Sequence, residues 1–221
     1  MLDSKLAEIF SIIEKGNDKG ELITLVGATK MVDVDTINKA ISLGLKVVAE
    51  NKVQEFNLKH GNIIGADEHF IGHLQTNKVK YLVGNVSLIH SVDSIHLAKE
   101  INKQAYKKGI IQDILLEVNV GGELSKSGFD FDNAIECANQ IKSEFKNVCI
   151  KGLMAMLPRS DDQEFLASLF DKMRALYDQM KNDGFDFCHL SMGMSNDYKL
   201  AIKHGSNMIR LGTEIFGKRI Y

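Results

Sequence analysis

The most reactive candidate in this sequence is Lys30, which follows the largely apolar segment 22–26. An apolar run with β-branched members is typical of a strand that is buried on both faces. A lysine at the end of such a strand is partly removed from water, which disfavours its ammonium form and leaves an amine that can attack an aldehyde. The alternative is an ordinary solvated lysine at a strand end.

A second group of residues, late in the chain, has the chemistry of a phosphate site. Ser195 supplies a hydroxyl at the start of a predicted helix, and Gly212 and Thr213 follow the predicted strand that carries Arg210. A glycine lets the backbone approach an anion, and the amides at a helix N-terminus donate to phosphate oxygens. Alone, Ser195 is better explained as a helix cap and Gly212 as a turn residue. Their joint occurrence with Lys30 favours a phosphate-binding cup.

Eight predicted strands alternate with helical segments along the chain, after an N-terminal helix. The strands are predicted at residues 21–30, 45–51, 68–74, 86–93, 113–122, 148–158, 187–195 and 207–212. Such alternation implies parallel βαβ crossovers, and eight units close a barrel. The sequence therefore predicts an α/β fold, a single (β/α)8 TIM-type barrel with an extra N-terminal helix, as one domain over residues 1–221. An open doubly wound sheet is the alternative, but no glycine-rich dinucleotide fingerprint follows the first strand.

The carboxyl ends of the strands of such a barrel meet at one face, which is where these barrels carry their chemistry. The residues predicted at these ends form one candidate site, namely Lys30, Glu50, Asn51, His73, Asn119, Met156, Ser191, Ser195, Arg210, Gly212 and Thr213. His90 and His189 are predicted to face either the barrel interior or its mouth, and a hydrogen-bonded core histidine is the commoner case. His69 and His73 would lie about 13 Å apart on one strand, so no metal site is predicted.

Composition narrows the class of protein. The formal net charge of the 221 residues is −2, and the sequence has no polybasic run. The protein therefore lacks a strong positive electrostatic field that would attract nucleic acid or an anionic membrane. Three widely spaced cysteines lack any CxxC pattern, which is typical of thiols in a reducing cytosol. No segment approaches about 18 uninterrupted apolar residues, and the N-terminus lacks a signal-peptide core. We therefore expect a cytoplasmic monomer without nucleic-acid or membrane partners.

Several segments carry more specific patterns, namely residues 23–30 (ITLVGATK), 50–55, 69–78, 119–128, 152–155, 190–195 and 210–217. In this order, and over nearly the whole chain, they resemble the pyridoxal phosphate homeostasis proteins, relatives of the alanine racemase N-terminal barrel. The resemblance implies that Lys30 holds pyridoxal 5'-phosphate as a Schiff base. It further implies the following contacts: Arg210 near the pyridine nitrogen, Asn51 near the ring, and Ser195, Gly212 and Thr213 at the phosphate.

The function implied by the resemblance is a cofactor-binding protein of intracellular pyridoxal phosphate homeostasis, not an enzyme, with apo pyridoxal-dependent enzymes as recipients. An arginine that faces the ring nitrogen keeps it unprotonated, which weakens the ring as an electron sink and suits a carrier. The alternative is a pyridoxal-dependent, racemase-like enzyme, although racemases of this fold use a second, β-rich domain with a tyrosine base, and this chain ends at Tyr221. A third reading is an aldolase-type barrel in which Lys30 attacks a sugar phosphate.

One departure from the family pattern lies next to Lys30. The family commonly carries a second lysine and a proline just after the Schiff-base lysine, whereas this chain has Met31-Val32-Asp33. The resemblance therefore does not extend to a role of that second lysine in cofactor transfer, whereas it does extend to the linkage at Lys30.

Overall fold

The computed structural model describes residues 2–123 and 126–217. The helices are α1 Leu2–Ile13, α2 Val34–Ser42, α3 Val53–Lys59, α4 Val79–Leu82, α5 Ile95–Lys108, α6 Ala134–Glu144, α7 Gln163–Asn182, α8 Tyr198–Lys203 and α9 Thr213–Phe216. The strands are β1 Thr24–Ala28, β2 Val47–Glu50, β3 Asp67–Phe70, β4 Leu88–Val92, β5 Gln112–Asn119, β6 Phe129–Asp130, β7 Val148–Met154, β8 His189–Ser191 and β9 Met208–Leu211.

The strands form a closed parallel barrel. Each pairs in parallel with its neighbour in the order β4-β3-β2-β1-β9-β8-β7-β5, and a further pairing of β4 with β5 closes the ring. The two-residue strand β6 adds only to the end of β5 and takes no part in the closure. Eight strands with helices between them and α1 in front confirm the predicted (β/α)8 barrel with an extra N-terminal helix.

The barrel interior is filled in two layers because side chains two residues apart on a strand point to the same face. One layer is apolar and consists of residues that are each 7 % exposed or less, namely Val26, Val47, Ala49, Leu88, Leu115, Met154 and Met208. Two positions further along β4, β5 and β9, toward the carboxyl ends, come His90, Glu117 and Arg210. The barrel therefore changes from apolar to polar on the way to its C-terminal mouth.

The N-terminal helix covers the outside of the ring beside β1 and β9. Leu6 and Ile9 of α1 are buried in one cluster with Ile37 of α2, Tyr198 of α8 and Ile215 of α9. This contact buries α1 against both the second and the last helices, so the two ends of the described chain are packed together.

Several predicted boundaries were wrong. The first strand was placed at 21–30 but spans Thr24–Ala28, because Glu21 donates its N–H to Asn17 Oδ1 in a turn and Leu22 is 85 % exposed. The seventh was placed at 187–195 but spans only His189–Ser191, since Gly193 takes a left-handed φ of 98° soon afterwards.

The remaining predicted strands ended one to four residues beyond the paired segment, and the two predicted from Glu68 and Asp113 began one residue late. Two short helices, α4 and α9, and the strand β6 were not predicted. The helix predicted from residue 196 begins at Tyr198 instead. Boundaries of this kind depend on hydrogen bonds to neighbouring strands, which the residue pattern does not record.

The close packing of β7 against β8 can be tested by a substitution at Gly152. Gly152 pairs with His189 at a φ of 151°, and a Cβ at this position would collide with the His189 carbonyl oxygen. We therefore expect Gly152→Ala to lower the free energy of unfolding by about 3 kcal/mol or more, as measured by urea unfolding with circular dichroism. Gly121→Ala is the control, because its nearest neighbour is the Pro158 ring at 3.3 Å and its φ is not positive. Equal effects of the two substitutions would contradict this account of the closure.

Candidate functional site

Lys30 lies in the turn just after β1, at the C-terminal mouth of the barrel, and is half-buried. It was predicted as the last residue of the strand, whereas β1 ends two residues earlier at Ala28. The next residue, Met31, has a φ of 59°. This left-handed conformation turns the chain sharply away from the strand direction and leaves Lys30 at the rim.

Asn51 lies just after β2, and β2 is the strand that pairs with β1. Its Oδ1 atom is buried and has no hydrogen-bond partner within the described residues. The loop after β3 presses against it so closely that a Cβ on Gly72 would collide with the Asn51 backbone. Buried polar atoms are normally paired, so an unpaired amide oxygen at the mouth suits a polar ligand.

Arg210 is the most tightly held side chain of the site. Its Nη1 donates to the hydroxyl and the carbonyl of Ser191 at 2.7 and 2.8 Å, and its Nη2 donates to the Ala155 carbonyl at 3.0 Å. Burial lowers the pKa of Arg210 to about 10, and the Glu117 and Asp197 carboxylates oppose this by raising it. The guanidinium therefore stays charged at neutral pH. A fixed positive charge therefore sits inside the barrel just below its mouth.

A chain of buried polar groups supports Arg210 from below. The Nδ1 of His90 lies 3.2 Å from Ser191 Oγ, and its Nε2 lies 3.0 Å from His69 Nδ1. Burial lowers the pKa of His69 to about 3 and that of His90 well below its usual value, so both rings are neutral at pH 7. A neutral imidazole donates from one nitrogen and accepts at the other, so the two rings can extend the hydrogen-bonded chain to Ser191.

His90 thus faces the barrel interior as a hydrogen-bonded core histidine, one of the two placements that the sequence allowed. His189 opens β8 at the opposite end of the strand from the mouth. Its pKa is lowered by burial and, to a lesser degree, by the Lys151 ammonium. The sequence reading missed the contact of His90 with Ser191, although its position two residues after Leu88 places it on the interior face.

Ser195 and the Gly212-Thr213 pair lie on adjacent loops. The Arg210 N–H donates to the Gly193 carbonyl at 3.0 Å, which joins the loop after β8 to β9. Thr213 opens α9, and the Gly212 carbonyl accepts from the amides of the third and fourth residues after it. The first amides of α9 have no acceptor within the helix, so they are suited to donate to an anion.

The sequence reading of Ser195 needs one correction. Ser195 lies in a turn, and α8 begins only at Tyr198 with Asp197 as the preceding residue. Asp197 fixes this turn because its Oδ1 accepts from the Met194 N–H at 2.6 Å. Ser195 therefore lies on the loop itself, half-buried, and is not the cap of the following helix.

Glu117 is a residue of the mouth that the sequence reading missed. It is 5 % exposed and lines a cleft of about 530 Å³ together with Ile71, His73, Met156 and Met194, among others. Burial, with a smaller contribution from the Asp93 carboxylate, raises the pKa of Glu117 to about 7. The signal available in the sequence was a carboxylate in the middle of the apolar run of the predicted strand 113–122.

Two of the predicted strand-end residues serve the local structure instead. The Asn119 side chain holds its own loop, donating to the Glu123 carbonyl and accepting from the Glu123 N–H. The His73 side chain is mostly exposed at the mouth, and its Nδ1 lies 3.3 Å from Asp93 Oδ2. Ser125, which belongs to one of the segments that carry the resemblance, lies outside the described residues.

No group of three or more His, Cys, Asp or Glu side chains in residues 2–123 and 126–217 is arranged to hold a metal ion. Over these ranges, no helix is long and apolar enough to cross a membrane.

Comparison with known proteins agrees on one family. Residues 24–219 match the family model described as alanine racemase, N-terminal domain. The pyridoxal phosphate homeostasis protein of Aquifex aeolicus is 42 % identical over 98 % of both chains, and that of Helicobacter pylori is 34 % identical over 98 % of this chain and 99 % of its own. The structure of PipY of Synechococcus elongatus with PLP bound is 28 % identical, with a TM-score of 0.85, over 98 % of this chain and 100 % of that one.

Glu117 makes the stability of the protein depend on pH. Between about pH 4.5 and 7 the folded state keeps a proton on Glu117 that the unfolded state has released, so stability falls as the pH rises through this window. The full cost of about 3 kcal/mol is present above pH 7. We expect Glu117→Gln to gain stability over the wild type between pH 5 and pH 8, measured by urea unfolding at each pH. Parallel profiles for the two proteins would refute the raised pKa.

Proposed function

The chain belongs to the family of pyridoxal phosphate homeostasis proteins, and on this basis we propose that it binds pyridoxal 5'-phosphate through a Schiff base on Lys30 without catalytic turnover. The observation that carries the proposal is the pairing of β1 with β9, which aligns Gly27 with Leu211. Because these strands are neighbours, Lys30 and the Gly212-Thr213 pair lie beside each other at the mouth. A carrier of this cofactor needs that combination of an amine next to an anion-binding loop.

The residues at the mouth match the functional groups of the cofactor. Gly212, Thr213 and Ser195 offer backbone amides and hydroxyls to the phosphate, and the unpaired Oδ1 of Asn51 offers an acceptor near the ring. Arg210 offers a fixed guanidinium to the pyridine nitrogen. In the linkage, Lys30 Nζ would form a C=N bond to the aldehyde carbon, and the aldehyde oxygen would leave as water with two protons from the nitrogen.

Arg210 also supports a carrier over a catalyst. When bound, the cofactor stabilises carbanions if its pyridine nitrogen is protonated. A guanidinium held by Ser191 and Ala155 at this nitrogen disfavours that proton, because two positive charges would then lie in contact. We therefore propose that the site holds the cofactor and leaves it a weak electron sink.

The proposal extends to the cellular role. We propose that residues 1–221 act as one domain, as a monomer in the cytoplasm, and that the bound cofactor is held for apo pyridoxal-dependent enzymes. The described cysteines, Cys137, Cys149 and Cys188, are free thiols, which fits a reducing compartment.

The racemase-like alternative requires proton-transfer groups on both faces of the cofactor. Tyr198 does not supply one, because it is 5 % exposed and packs with Leu6 and Ile9 on the outside of the barrel. His73 and Glu117 are the candidates that line the cleft at the mouth, and the His73 side chain is 64 % exposed.

The Schiff-base assignment is tested at Lys30. We expect Lys30→Ala to abolish covalent attachment while the circular dichroism spectrum stays unchanged, because the half-buried side chain lies outside β1. The measurement is the imine absorbance of the protein with pyridoxal 5'-phosphate, followed by borohydride reduction and peptide mapping. Lys52→Ala is the control, as Lys52 is exposed and close in sequence to Asn51. A label on Lys52 or Lys78 in the wild type would disprove the assignment, and an absent imine band would favour the aldolase reading.

The absence of turnover is tested with amino acids in deuterated water. We expect Cα exchange and inversion of L- and D-alanine or serine to stay far below about one per second, the lower end of ordinary enzymatic rates. The reason is that Arg210 weakens the ring as an electron sink. His73→Gln is measured in parallel. Wild-type turnover of about one per second that falls in His73→Gln would establish the racemase-like function instead.

A further inference from the structure

Helix α3 directs two charged side chains at the peptide groups on either side of Lys30. The Glu55 carboxylate accepts a hydrogen bond from the Met31 N–H at 2.8 Å. The Lys59 ammonium donates to the Thr29 carbonyl at 2.9 Å and lies 3.5 Å from Glu55 Oε2. The residues before and after Lys30 are therefore both tied to one turn of the same helix.

Lys59 is itself held by a buried carboxylate at the end of β2. Its Nζ lies 2.6 Å from Glu50 Oε1, with the Lys59 side chain 13 % and the Glu50 side chain 5 % exposed. The Thr29 hydroxyl donates to the same Glu50 oxygen at 2.7 Å. Charge-assisted bonds away from solvent hold their geometry more firmly than those at the surface, so this ion pair is a stiff anchor.

The segment that this cluster holds is strained. Met31 is the one non-glycine residue with a positive φ in the part of the chain that the structure describes. A left-handed conformation is unfavourable for a side chain such as Met and persists only where surrounding contacts enforce it. Glu55 supplies such a contact, because it accepts a hydrogen bond from the Met31 N–H. This N–H belongs to the peptide group directly after Lys30.

We propose that Glu55, anchored by Lys59, is a positioning residue for Lys30: it holds the backbone so that the Lys30 amine points toward the aldehyde of the bound cofactor. This rests on the proposed Schiff base at Lys30. Glu55 acts through the Met31 peptide group, without contact to the cofactor. Loss of this hydrogen bond lets the turn relax to ordinary backbone conformations, which spreads the Lys30 amine over more orientations and slows its attack on the aldehyde.

The test compares three variants of the full chain. Glu55→Ala removes the acceptor for the Met31 N–H, and Glu55→Gln keeps an acceptor oxygen without the charge. Glu68→Ala is the matched control, because it breaks a similarly short contact, 2.7 Å from Glu68 Oε1 to His60 Nδ1, next to the other end of α3. Substitution of Lys59 is avoided, since it would leave the buried Glu50 without a counter-charge and endanger the fold.

Three quantities are measured for each variant. The first is the rate constant of Schiff-base formation with pyridoxal 5'-phosphate, from the imine absorbance and from borohydride labelling of Lys30. The second is the affinity for deoxypyridoxine 5'-phosphate, which lacks the aldehyde and reports only non-covalent binding. The third is the amide hydrogen exchange of Met31 in the cofactor-free protein, which reports the turn directly.

We expect Glu55→Ala to slow Schiff-base formation at least five-fold and to speed exchange at Met31, with the affinity for the aldehyde-free analogue within two-fold of the wild type. Glu55→Gln recovers most of the rate, and Glu68→Ala matches the wild type. An unchanged rate in Glu55→Ala, or an equal loss of analogue binding, overturns the positioning role and leaves the cofactor proposal standing. A wild type without Schiff base on Lys30 overturns both.

Discussion

The pairing of β1 with β9 is the constraint on which the rest of the structure depends. It joins the first and last strands of the barrel, with Val26 aligned with Arg210. Lys30 and Thr213 lie far apart in sequence, and only this closure makes them neighbours at one rim. The same closure brings α1, α2 and α9 into one apolar cluster on the outside. A parallel ladder that failed to close between β1 and β9 would leave Lys30 and the Gly212-Thr213 pair at opposite edges of a sheet.

Closure also creates a narrow interior in which polar groups have few partners. Arg210 is acceptable there because Ser191 and Ala155 supply three acceptors to its guanidinium, and because Glu117 and Asp197 are within electrostatic reach. A buried charge without such partners is strongly unfavourable. The neutral imidazole of His90 extends this support further into the interior. The result is a guanidinium with one defined orientation, which is the property needed to present a constant field to a ligand at the mouth.

The two ends of the proposed cofactor site are therefore held by different means. At the β9 end, neutral backbone and hydroxyl acceptors fix a charge inside the barrel. At the β1 end, the charged groups of Glu50, Glu55 and Lys59 hold a strained turn at the rim. Both arrangements orient these groups before a ligand binds. Binding therefore loses less conformational entropy. Such preorganisation is consistent with a protein that retains its cofactor.

Sequence by itself determined the order and type of the long elements, since hydrophobic periodicity over ten or more residues records which face is buried. The buried stripe of α7, from Leu166 to Met180, follows the three- and four-residue spacing of its apolar residues. Lys30, Asn51, Arg210 and Gly212 all lie at or near the mouth, because a residue at the end of a parallel strand has little freedom in where it lies. The family patterns supplied the proposed roles of these residues, which the periodicity could not.

Tertiary structure alone decided the features that depend on contacts between distant segments. The end of β1 before Lys30, the left-handed Met31 and its bond to Glu55 arise from packing against α3, which no local pattern records. Glu117 and His90 acquire their properties from burial beside residues on other strands. The sequence specifies which side chains are present, whereas their protonation and orientation follow from the low-dielectric interior that the closed barrel creates.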